Sequence, residues 1–223
     1  MTTTNEARGS YDLLLAAFCS LLLVSNVAAT KLVQFGPDWA PGGVPVLPVV
    51  ADGGAFLFPL TYVLGDVLAE VYGLARTKRA IVTGFGLALM ASVVFLVVDA
   101  APPAAEWTGQ EAWHAVLGFV PRVVAASLAG YLVGQFLNAW VVVRMRDRAR
   151  PGRLWTRLLS STIVGELADT VIFCTVAFAF VVPVGTLVNY IVYGYVYKVL
   201  VEAVMLPVTV RVIAWVKRRE RAG

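Results

Sequence analysis

The sequence predicts an all-α polytopic membrane protein of six transmembrane helices with both termini in the cytoplasm. Two observations carry this. Of 223 residues, 59% are hydrophobic and only 14% charged, where a soluble domain averages about 25% charged. The basic residues gather at the ends of apolar runs, which is the mark of membrane topology. A mean hydropathy of +0.78 leaves more apolar surface than a soluble domain of this size can hide. With roughly 20 apolar residues needed per crossing, the chain holds about six spans and no soluble catalytic domain.

The apolar runs place helices at 11–33, 55–72, 80–98, 115–143, 158–181 and 186–215. The whole chain reads as a single transmembrane domain, with a cytoplasmic lead at 1–10 and a basic tail at 216–223. The lead lacks a small-residue cleavage site, so the first run reads as a retained span rather than a signal peptide. The stretch 34–52, rich in Pro and Gly, reads as a loop with room for a short hairpin. The loop after the third helix has room for a short interfacial piece anchored by Trp107 and Trp113.

Orientation follows from the basic residues. Arg8 precedes the first helix, Arg76, Lys78 and Arg79 join the second to the third, and an arginine run from Arg144 to Arg157 joins the fourth to the fifth. Lys217, Arg218, Arg219 and Arg221 form the tail, while the alternate loops carry Asp38, Asp52, Asp99, Glu106 and Glu111. The positive-inside bias puts both termini in the cytoplasm. The net charge of +4 is then topological, and no nucleic-acid partner is expected. Cys19 and Cys174 lie inside apolar segments, which excludes a disulfide framework or a Cys-rich metal site.

Charged residues remain where lipid should be: Lys31, Asp66, Glu70, Arg122, Glu166, Asp169, Lys198 and Glu202. A charge at the bilayer centre costs about 2.5–3.5 kcal/mol even on the lenient insertion scale, so these groups need one another or a shared polar interior. Asp66 and Glu70 are four apart and share a helix face that Tyr62 extends; Glu166 and Asp169 are three apart and share another, with Thr162 above and Phe173 below. Each pair follows a glycine, Gly65 and Gly165. The two helices hold equivalent places in a three-plus-three division and cross in opposite directions. That is the pattern of an inverted repeat with a midplane site, although a chance glycine–acid match would look the same.

Asn26 on the first helix, Tyr131, Gln135 and Asn138 on the fourth, and Asn189, Tyr193 and Tyr197 on the sixth fit the same interior. Lys198 with Glu202, and Arg122, read as interhelical glue; the two acid pairs read as a substrate or ion path. Small residues recur every four positions at Gly84, Ala88 and Ser92 and at Ala126, Gly130 and Gly134. Such stripes pack helices closely, within one chain or between two, which is compatible with a homodimer.

Enzyme readings fare poorly. The only histidine, His114, sits in an outer loop, which leaves no His-based triad and no His-rich metal site. There is no Walker A loop. An intramembrane enzyme using the acid pairs is an alternative without its usual catalytic groups, and no metal or cofactor is expected.

The stretch FPLTYVLGDVLAEVYG (residues 58–73), followed by Arg76, resembles the signature of the queuosine precursor transporter family, small bacterial inner-membrane proteins related to vitamin-uptake transporters. Ser25-Asn26 with Lys31, SSTIVGELADTVIF (residues 160–173), and Tyr197-Lys198 with Glu202 and Pro207 fit the family too. The resemblance implies uptake of 7-cyano-7-deazaguanine or its 7-aminomethyl relative. It also implies a six-helix fold akin to the substrate-binding subunits of energy-coupling-factor vitamin transporters. A subunit needing an ATP-driven partner is therefore an alternative. Those subunits often carry an Ala-x-x-x-Ala patch on the first helix, and this chain has no such spacing there.

The residues agree with that substrate class. A deazaguanine offers two adjacent donors, which a carboxylate accepts in a fork. Asp66, Glu70, Glu166 and Asp169 are the candidates for that grip. Asn26, Gln135 or Asn189 would complete the polar frame, Tyr62, Phe173, Tyr193 or Tyr197 would stack on the ring, and Lys198 stands beside them.

Overall fold

The structure, a computed structural model, describes residues 3–39, 47–146 and 154–222. The arginines at 148, 150 and 153 and the tip of the ribbon described below lie outside these residues, as do the side chains of Thr162 and the arginines at 144, 146 and 157. The element order is α1 (Thr3–Ala28), β1 (Leu32–Trp39), β2 (Leu47–Asp52), α2 (Phe58–Ala100), α3 (Gln110–Val116), α4 (Val120–Arg146), α5 (Leu154–Phe178) and α6 (Val184–Ala222).

The helices are long because little in them opposes helix and their apolar side chains need no solvent face. Among the described residues four stretches are long and apolar enough to cross a membrane: Ser10–Ala28, Phe58–Ala100, Gln110–Asn138 and Val184–Glu220. Large apolar side chains such as Leu13, Val82, Val97, Leu132, Phe136 and Val204 are more than half exposed. A protein that turns such residues outward is solvated by lipid.

Two helices were expected at 55–72 and 80–98, with a break after Tyr72. The break is there, but it is one residue wide: Gly73 takes φ 76° and ψ 174° within α2. Only glycine enters that region without a steric penalty. Helix resumes at once, with the Thr77 hydroxyl donating to the Gly73 carbonyl at 3.0 Å. The basic residues at 76–79 are thus helical rather than loop, since Arg and Lys are good helix formers.

Further helix boundaries differ from expectation by several residues. α1 begins at Thr3 and ends at Ala28, five residues early, because the Gly53 amide bonds the Lys31 carbonyl and the chain enters β1. The short hairpin for which the sequence left room is present, as β1 (Leu32–Trp39) paired with β2 (Leu47–Asp52). α6 runs past Trp215 to Ala222, carrying Pro207 in its interior. The loop after α2 does hold a short helix, α3, and Trp113 of α3 meets Phe95 edge to face at 6.5 Å.

The chain forms two compact units. The first comprises Met1–Lys31, Asp52–Pro121 and Leu200–Gly223. Here α1 lies along α2: a Cβ on Gly84 would stand 3.0 Å from Leu22, and Ala88 and Ser92 are buried on the same stripe. Val63, Val67 and Val216 form a core with Leu14, Val71, Tyr72 and Val212 packed on it. At the basic end, the Tyr11 hydroxyl donates to the Arg76 carbonyl at 3.0 Å, and the Tyr72 hydroxyl donates to Glu220 at 2.9 Å. The Arg76 guanidinium lies over both tyrosine rings. Asp52, counted from sequence among the outer loop acids, is 4% exposed and accepts from the Ala55 amide at 3.1 Å to cap a short 3-10 turn.

The second unit comprises Leu32–Ala51 and Arg122–Val199. Arg122 closes it at one end: its Nε donates to the Val176 carbonyl at 2.8 Å and its Nη2 to the Ala179 carbonyl at 2.6 Å. A guanidinium on the last carbonyls of α5 satisfies them and complements the helix dipole, so the glue expected of Arg122 is what it provides.

Candidate functional site

The second unit brings one acid pair together with a lysine. Glu166 and Asp169 are one turn apart on α5, so both project from one face. Lys198 of α6 bonds the Asp169 carboxylate through Nζ, and the Glu166 Oε2 lies 3.9 Å from the same nitrogen. Lys198, read from sequence as glue toward Glu202, thus makes its close pair across to α5. The acid there is bonded through the ammonium itself, which offsets part of the cost of enclosing the two charges. The lysine side chain is 7% exposed, against 22% for Glu166 and 24% for Asp169.

α4 packs closely behind Asp169. A Cβ on Gly130 would stand 2.7 Å from Asp169 Oδ1 and 2.9 Å from the Asp169 carbonyl. On Gly134 it would meet the Gly165 carbonyl at 2.9 Å, and on Gly165 it would meet Asn138 Cβ at 3.0 Å. Three glycines therefore let α4 and α5 approach backbone to backbone at the carboxylates. The stripe at 126–134, like that at 84–92, packs within one chain.

Around this cluster the other candidates take different places. Asn189 is buried and its Oδ1 accepts from the Val50 amide of β2 at 3.2 Å, so its carbonyl ties α6 to the ribbon. Tyr193 is half-buried and Tyr197 is 38% exposed on α6; Gln135 is exposed on α4. Phe173 is half-buried and packs edge to face on Phe178 at 6.2 Å, which in turn packs on Tyr190 at 5.3 Å. Two residues that no sequence motif singled out as binding groups also stand here. Asn138 Oδ1 and Thr170 Oγ1 are buried without a hydrogen-bond partner among the described residues. Asn138 adjoins Gly165, and Thr170 shares the Glu166 face at a spacing of four. Asn138 was placed by its sequence spacing on the polar face of α4, and the spacing of four from Glu166 could have flagged Thr170 as well.

The first unit holds the other acid pair in a different setting. Asp66 and Glu70 are exposed, and Glu70 pairs with Lys217 of α6 at 3.2 Å, both side chains well exposed. Tyr62 is half-buried with its ring 5.8 Å from Phe58. Asn26 is 5% exposed and its amide nitrogen donates to the Leu22 carbonyl one turn back at 2.9 Å. Lys31 is exposed. At the far end of α2, Asp99 accepts from Gln110 at 3.2 Å and lies 2.6 Å from His114 Nδ1. Among the described residues no group of three or more His, Cys, Asp or Glu could hold a metal ion.

What the α4–α5–α6 cluster can do chemically is accept hydrogen bonds. Two carboxylates on one helix face, partly accessible and close to a buried lysine, present acceptors for a donor-rich ligand. No nucleophile–base dyad stands among them.

The chain is similar to known proteins over most of its length. A family profile described as “Putative vitamin uptake transporter” matches residues 52–212, which include both acid pairs and Lys198. A protein of Bacillus subtilis (strain 168) named “Probable queuosine precursor transporter” is 32% identical over 165 residues, 74% of this chain and 72% of the relative. The “Queuosine precursor transporter” of Escherichia coli (strain K12) is 29% identical over 135 residues, 60% of this chain and 58% of the relative. A Haemophilus influenzae relative, “Probable queuosine precursor transporter”, is 29% identical over 125 residues, 56% of this chain and 51% of its own length. No solved structure matches the chain. On the extent of the profile and of the Bacillus match, the chain belongs to the vitamin uptake transporter family, together with queuosine precursor transporters rather than with enzymes.

Proposed function

We propose that this protein carries queuosine precursors, 7-cyano-7-deazaguanine or its 7-aminomethyl relative, across the bacterial inner membrane by alternating access. The observation that carries the reading is the Glu166–Asp169 pair, set on one face of α5 and held with Lys198 inside an apolar helical chain of a transporter family. A carboxylate accepting the ring N–H and exocyclic amine of the deazaguanine would form two charge-assisted bonds at once. Within the second unit Gln135 and Asn189 are proposed as polar frame and Tyr193 and Tyr197 as stacking groups; within the first, Asp66 and Glu70 with Asn26 and Tyr62 are proposed as further substrate contacts. Lys198 completes the set.

The topology proposed is six spans with both termini cytoplasmic. The break at Gly73 supports counting the long α2 as two crossings, since its 43 residues exceed by about twofold what one crossing needs. The basic residues at 76–79 then face the cytoplasm.

The test is uptake of labelled 7-cyano-7-deazaguanine into liposomes holding only the purified full chain, with and without an imposed proton gradient. Uptake without other proteins is the expected result. Tight binding without uptake would instead favour a binding subunit whose motion a partner supplies. Absence of binding would remove this substrate class.

A further inference from the structure

A deazaguanine presents a ring carbonyl next to its two donors, and the acids of the second unit cannot serve that oxygen. An ionised carboxylate accepts hydrogen bonds and has none to give. Lys198 is a donor close by, but its ammonium is bonded to Asp169. One further donor stands on the Glu166 face. Thr170 follows Glu166 by one turn of α5, is 2% exposed, and its Oγ1 has no hydrogen-bond partner among the described residues. Asn138 is the other side chain of this unit with such an atom, but that atom is its carbonyl oxygen, an acceptor like the acids.

A hydroxyl within a helix has a partner at hand, the carbonyl three or four residues back. Elsewhere in the chain that partner is taken: Ser92 donates to Ala88 at 2.9 Å, Thr77 to Gly73 at 3.0 Å and Thr61 to Phe58 at 2.8 Å. Thr170 leaves it unused, although an unpaired buried hydroxyl is unfavourable. Its methyl faces α6, with Cγ2 3.7 Å from where a Cβ on Gly194 would be. Farther along the same face the seam is apolar and closed: Cys174 and Phe178 are each 1% exposed, and Phe178 meets Tyr190 edge to face. Thr170 stands where the carboxylate face gives way to that closed end.

We infer that the Thr170 hydroxyl is a substrate contact, donating to the ring carbonyl of the deazaguanine while Glu166, one turn before it, accepts from the adjacent donors. This rests on the substrate class proposed above and adds to the site the donor that its acids lack. The ligand edge of donor, donor and carbonyl is then met by acceptor, acceptor and donor along one face of α5. The hydroxyl is enclosed in this conformation, and a parting of α5 from α6 at Gly194 within the access cycle uncovers it together with the acids.

The experiment measures binding of 7-cyano-7-deazaguanine and of its thiocarbonyl analogue to the purified full chain in lipid nanodiscs, for the parent, Thr170→Val and Thr170→Ser. The analogue keeps both donors and replaces the ring oxygen by sulfur, a weak acceptor. Thr170→Val keeps the shape and removes the hydroxyl. It should lower affinity for the oxo compound about tenfold and change that for the thiocarbonyl compound much less. Thr170→Ser should keep the parent's preference for the oxo compound. Without ligand, the thermal midpoint of Thr170→Val should equal or exceed the parent's, because an unpaired buried hydroxyl has given way to a methyl. A Thr170→Val chain that binds the oxo compound as the parent does, or that loses both compounds equally, would overturn the contact. So would a lowered midpoint, which would show that the hydroxyl serves the fold. A parent that binds neither compound would instead remove the substrate class, and the contact with it.

Discussion

Two glycine–acid pairs that look alike in sequence end in unlike surroundings. Around Gly65 nothing stands within 4 Å of where a Cβ would be, and Asp66 and Glu70 are exposed. Around Gly165 the Gly134 carbonyl and Asn138 crowd to 3.0 Å, and Glu166 and Asp169 are partly covered and tied to a buried lysine. Each pair has a lysine from α6, but Lys217 is exposed beside Glu70 and Lys198 is enclosed beside Asp169. Helical spacing decides which residues share a face; the neighbouring helix decides what that face can do. The second pair has the fixed geometry that recognition of a small planar ligand needs. The first has the looser geometry of a surface contact at the basic end of its unit.

The largest expected effect tests that contrast directly. Asp169→Ala removes the bonded partner of a buried ammonium, a change that costs about 3–5 kcal/mol where nothing replaces it. A marked drop in thermal midpoint with loss of uptake is expected. Asp66→Ala removes an exposed carboxylate, and its thermal midpoint should stay within the range of surface substitutions, about 0.5 kcal/mol. Equal destabilisation by the two substitutions would break the comparison.

A smaller effect of opposite sign in the two regions comes from the glycines themselves. Gly130→Ala sets a methyl 2.7 Å from Asp169 Oδ1, and overpacking of that kind costs about 1–3 kcal/mol. Gly65→Ala meets nothing within 4 Å and removes a glycine from a helix interior, worth about 0.5–1 kcal/mol in favour of the folded state. Thermal midpoints of the two variants should therefore move in opposite directions. A Gly130→Ala protein as stable as its parent would show that α4 yields at the carboxylates, and the case for fixed acids would weaken with it.

Much of this was legible in the residues, and the misses have physical causes. Apolar runs and punctuation by Gly and Pro located every long helix, because composition and chain length dominate in lipid. The small stripes at 84–92 and 126–134 were legible as packing surfaces, but their partners were not. Spacing cannot say that Gly84 meets Leu22 or that Gly130 meets Asp169. That Asp52 caps a turn was not legible, since a carboxylate that satisfies a turn amide looks like any other loop acid until the turn is seen. Lys198 and Glu202 are four apart, the usual spacing of a helical pair, and that local pattern hid the tertiary pair with Asp169. Asn138 and Thr170 lay at readable spacings from Gly134 and Glu166, yet burial without a partner is visible only once the helices are assembled.

The smallest effect belongs to Glu70 and Lys217, and it sharpens the comparison because it should be nearly absent. Their nitrogen–oxygen separation is 3.2 Å, yet the Lys217 side chain is 41% and the Glu70 side chain 64% exposed. An exposed pair gains little from its attraction, since holding two long side chains costs entropy and salt screens what remains. A double-mutant cycle with Glu70→Gln and Lys217→Met should give a coupling of about 0.2–1 kcal/mol, falling as ionic strength rises. The nearby cores of Val63, Val67 and Val216 hold the end of α6 without that pair, so the double variant should fold and insert as the parent does. A coupling as large as that between Asp169 and Lys198 would mean that Glu70 is enclosed in the working protein. It would then join the second pair as a buried acid, and the distinction drawn between the two regions would no longer stand.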